Sequence, residues 1–87
     1  MSDTPDQEFW DIADSFIHLA NEHVGKASSG KVSSALLYAA ARFNAFIVAS
    51  ADDADLENEK ELAVDYFSGE YKKMLSENLD DYIKSPV

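Results

Sequence analysis

Asp14, His18 and Glu22 stand four residues apart. On a helix that spacing stacks side chains on one face, because 3.6 residues complete a turn. His23 lies near the edge of the same face. An imidazole and a carboxylate at i and i+4 can chelate a divalent metal such as zinc. Neither a His-Glu-x-x-His motif nor the Glu-x-x-His repeat of di-iron bundles occurs. With two histidines in the chain, a metal site would need further carboxylates or a second subunit. The simpler reading is a solvated face with acid–histidine pairs worth a few tenths of a kcal/mol.

Arg42 and Asn44 are the second pair. They interrupt an apolar stretch, and an arginine there must reach water, a carboxylate or a ligand, since burying it unpaired is costly. A structural ion pair, within the chain or across a dimer, accounts for Arg42 most simply. The sharper reading makes it the mark of an anionic ligand or a partner. Trp10 and Tyr38 sit at the edges of apolar stripes and join Arg42 and Asn44 as candidate partner or dimer contacts, because aromatic and arginine side chains dominate interface energetics. Catalytic chemistry has little support. Ser15 precedes His18 by three residues, and Ser33 and Ser34 fall near a helix start, but there is no Gly-x-Ser-x-Gly elbow and no glycine-rich phosphate loop. No catalytic residue, cofactor or enzymatic activity is expected.

Three helices must position these residues. Thr4-Pro5-Asp6-Gln7 has the form of a capping box with proline at the first helical position. Phe9, Ile12, Ala13, Phe16, Ile17, Ala20 and Val24 then recur in steps of three and four. The pattern predicts a helix over 5–24 stopped at Gly25. Gly-Lys-Ala-Ser-Ser-Gly at 25–30 is a loop in which Ser28 or Ser29 caps the next helix, expected over about 31–51. That helix is apolar nearly all round, and Ala39-Ala40-Ala41 permits close approach of a neighbour. The third helix, about 54–83, starts at Asp52, Asp53 or Asp55, where acids suit the positive end of the helix dipole. Gly69 interrupts its apolar stripe and marks a place for a kink or break.

The expected fold is therefore all-α: one domain over 1–87, a small antiparallel three-helix unit joined by short connections. The 87 residues support only a marginal core, and with no cysteine there is no disulfide to reinforce it. Pairing of two copies through the second helix is the remaining device, so a homo-oligomer, a helical-bundle dimer, is expected.

Charge is segregated. Residues 1–24 carry −6, residues 25–51 carry +3 and residues 52–87 carry −7, for a net −10. This balance argues against nucleic-acid and anionic-membrane binding. The N-terminal stretch is acidic where a secretory signal would be basic, and the run Ala35–Ala49 is broken by Arg42 and Asn44, short of what a bilayer span requires. A cytoplasmic location, with no membrane partner, is the expectation.

Glu8-Phe9-Trp10, Ala13-Asp14, Phe16-Ile17 and Leu19-Ala20-Asn21 open a pattern that continues in Lys31-Val32-Ser33 and in Ala35 through Phe46. It closes with Tyr66-Phe67, Tyr71, Met74-Leu75 and Asn78-Leu79-Asp80-Asp81-Tyr82. In these segments the chain resembles the bacterial family catalogued as domain of unknown function 3144. The resemblance implies a helical, cytoplasmic bacterial protein and brings no activity or site residues with it. From the residues themselves, the leading expectation is a self-associating module that presents acidic helices to a protein partner. A small-ligand or metal-binding helical protein is one alternative. An acidic mimic or inhibitor of a basic protein, suggested by Glu57, Glu61 and Asp65 with Asp80 and Asp81, is the other.

Overall fold

A computed structural model describes residues 5–87, as backbone at Pro5 and with side chains from Asp6 onward. The described chain is three helices and contains no strand: α1 (Pro5–Val24), α2 (Ser29–Ala49) and α3 (Leu56–Lys84). Thr4, the expected cap of α1, lies outside the described residues. Downstream in α1, the Gln7 Nε2 donates to Asp11 Oδ1 at 2.9 Å.

The helix ends follow local hydrogen bonding. α1 stops before Gly25 as expected, but no described glycine has a positive φ, so no left-handed cap is used. Instead the backbone N–H groups of Lys26 and Ala27 both donate to the His23 carbonyl, each at 2.9 Å. α2 starts at Ser29, two residues before the expected Lys31. The reason is Ser28: its Oγ accepts the Lys31 N–H at 3.2 Å, and its carbonyl accepts the Val32 N–H at 3.1 Å. Gly30 is thus carried inside the first turn, where its missing side chain does no harm to a capped end. At the other end Ser50 turns both its N–H (2.9 Å) and its hydroxyl (2.7 Å) onto the Phe46 carbonyl. A serine bonded to its own backbone in this way favours helix ends over helix interiors.

α3 begins after Asp55, the last of the three acids named from the sequence. The Asp55 carbonyl accepts the backbone N–H of Asn58 at 3.1 Å and of Glu59 at 2.9 Å, while its carboxylate takes the Asn58 Nδ2 at 2.7 Å. The carboxylate therefore makes no bond to the helix backbone, and it serves the positive helix end through charge and through Asn58. The helix then runs unbroken for 29 residues through Gly69. A Cβ placed at Gly69 would meet nothing within 4 Å among the described residues.

By Cα proximity the described chain divides into two units, one ending at Asn44 and the other running from Ala45 to Val87. In the first, Ala13, Ala20, Ala27, Val32 and Asn44 are half-buried. In the second, Val48, Ala54, Glu59, Ala63 and Phe67 are half-buried. No described residue is buried outright. The residues most withdrawn from water are thus mainly alanines and valines, whereas the large apolar side chains remain open.

Candidate interaction surface

The large apolar side chains are the most conspicuous exposed groups. On α1, Phe9 is 55%, Trp10 59% and Phe16 58% exposed. On α2, Tyr38 is 68% and Phe43 and Phe46 each 62% exposed.

The residues singled out from the sequence separate on this surface. Trp10 packs edge-to-face on its neighbour Phe9, with ring centroids 4.9 Å apart and planes at 78°. This local pair leaves both rings more than half open, as befits a contact surface. Tyr38 and Arg42, four residues apart on α2, share a face. Arg42 and Asn44 do not: two positions along a helix turn through about 200°, so they project to opposite sides and cannot form one site on α2. Asn44 is the half-buried one of the two. Within residues 6–44 no carboxylate lies within ion-pair distance of Arg42.

On the α1 polar face, His18 Nε2 lies 3.2 Å from Glu22 Oε2. Both side chains are largely in water, which limits the pair to a few tenths of a kcal/mol. Asp14 does not complete a site, and among the described residues no group of three histidine or acidic side chains converges. Ser15 is also occupied: its hydroxyl donates to the Ile12 carbonyl at 2.6 Å, along its own helix and away from His18.

One feature of α2 departs from the sequence reading. Counted from Ser29 rather than from Ala35, the helix has 21 residues and is long and apolar enough to cross a membrane, judged by length and composition. The turns from Ser29 to Ser34 supply the length that the run from Ala35 lacked.

The family described as protein of unknown function (DUF3144) matches residues 9–83, nearly the whole chain and all three helices. No curated protein and no solved structure matches.

Proposed function

We propose that this chain, which belongs to the family described as protein of unknown function (DUF3144), is a self-associating interaction module that forms a helical-bundle homodimer and presents acidic helices to a further protein. The observation that carries this reading is the open apolar surface. Trp10, Phe16, Phe43 and Phe46 are each more than half exposed, and no described residue is buried. Apolar area left in water gives up about 25 cal/mol for every Å² that a second surface would cover. Patches of several hundred Å² on soluble proteins commonly mark interaction sites. Once two copies cover the apolar surface, what remains outward is the charge of α1 and α3, where the acids concentrate.

The test is the mass of the protein in solution, by sedimentation equilibrium and native mass spectrometry across a range of concentrations. The expected result is twice the 9.6 kDa of one chain, with no added metal or small molecule. A mass of one chain at all concentrations would end the self-association reading. Extra mass would favour the ligand or metal alternative.

A second reading rests on α2 alone, whose length and composition suit a membrane span. Against it stands Arg42, since an arginine near the centre of a bilayer helix costs about 2.5–3.5 kcal/mol on insertion scales. Flotation with neutral vesicles separates the two: a dimer stays with the aqueous fraction, and a membrane protein rises with the lipid.

A further inference from the structure

Resting on the proposed self-association, we infer that the second copy seats on α2 in antiparallel fashion, with the two-fold axis passing beside Ala39. At 3.6 residues per turn, Val32, Ala35, Leu36, Ala39, Phe43 and Phe46 fall within an arc of about 100°, the width of one packing face. All are exposed except Val32, which is half-buried, and the two phenylalanines are each 62% open.

The order of sizes along this face is what selects a second copy. A two-fold axis at Ala39 sets each residue against the one equally far on the other side. Ala35 then faces Phe43 of the second copy, Val32 faces Phe46, and Ala39 faces Ala39. Every large ring meets a smaller residue, and the smallest residues meet at the crossing point, where the backbones come nearest. Alternation of large and small across facing positions is how helices interdigitate without voids. A parallel pairing in the same register sets Phe43 on Phe43 and Phe46 on Phe46, and holds the backbones apart.

Charge fits the same arrangement. Arg42 lies about 20° beyond the Ala35 edge of the face and opposite Leu36 of the second copy. Its methylene stem lies along that leucine while its guanidinium reaches the rim. α2 contains Lys31 and Arg42 and no acid, while the segments on either side of the cationic stretch carry −6 and −7. A second copy therefore brings carboxylates to the rim of a helix that has none.

The chain contains no cysteine, so single thiols can be placed at will. Three single variants, Ala35→Cys, Ala39→Cys and Ala41→Cys, are oxidised in dilute solution and run without reductant, beside a mass measurement of each when reduced. A disulfide requires Cα atoms within about 7 Å. Ala39 meets that limit across the axis. Ala35 is separated from Ala35 of the second copy by about 12 Å along the helix, and Ala41 points to the other side. The expected result is a two-chain mass for all three, with cross-linking at Ala39→Cys more than about tenfold faster than at the other two. A two-chain mass with Ala35→Cys linking as fast as Ala39→Cys would replace the antiparallel seat by a parallel one. Fastest linking at Ala41→Cys would move the interface off this face. Either outcome overturns the inference and leaves self-association standing. A one-chain mass removes both.

Discussion

At the scale of single residues, the local hydrogen bonds explain where helices begin and which side chains are committed. Ser28 is the clearest case. Its Oγ on the Lys31 N–H satisfies one of the four N–H groups that every helix start leaves open. Ser28→Ala is expected to lower stability by about 1 kcal/mol, read from chemical denaturation followed by circular dichroism. An unchanged midpoint would mean that Ser29 takes over the cap. The sequence narrowed the cap to two serines and could not choose, because both side chains have the same capping chemistry and the choice depends on backbone geometry. Arg42 and Asn44 illustrate another limit. They were grouped because each breaks an apolar run, a one-dimensional criterion. Helical rotation places them on opposite sides, and that separation follows from the 100° step per residue once α2 is continuous through both.

At the scale of elements, three helices and their faces were legible because the apolar residues recur with helical period and because Pro5, Gly25 and Asp55 punctuate the chain. Gly69 was misleading as a break signal. Glycine raises the cost of a helical position by about 1 kcal/mol, but one such position cannot divide a 29-residue helix whose neighbouring turns all hold their bonds. With open space at the position of its Cβ, Gly69→Ala is expected to stabilise the protein by about 0.5–1 kcal/mol. Thermal unfolding at fixed concentration checks this. A loss of stability instead would show that another backbone approaches Gly69 in the assembled protein. The span-like length of α2 has another origin: the sequence reading weighed only the apolar run Ala35–Ala49, whereas the whole helix, expected over about 31–51 and observed over Ser29–Ala49, is long enough.

At the scale of the whole molecule, burial decides the argument. The periodicity of the sequence says which residues want cover, and it does not say whether one chain supplies it. With no described residue buried, the proposed dimer makes folding and association one equilibrium, so the melting temperature depends on protein concentration. Each tenfold dilution is expected to remove about 1.4 kcal/mol of stability per dimer, visible as a steady fall of the midpoint in calorimetry. A midpoint that does not move with dilution would mean that each chain is stable alone. The same openness has a consequence for life inside a cell. A single chain that shows its aromatic residues to water is what proteases and chaperones select, so under the proposed dimerisation a newly made copy would survive by meeting another before it is degraded. Survival of this kind would be second order in synthesis. Below a threshold rate of production the protein would turn over as fast as it is made, and a modest rise in expression would yield a disproportionate rise in abundance.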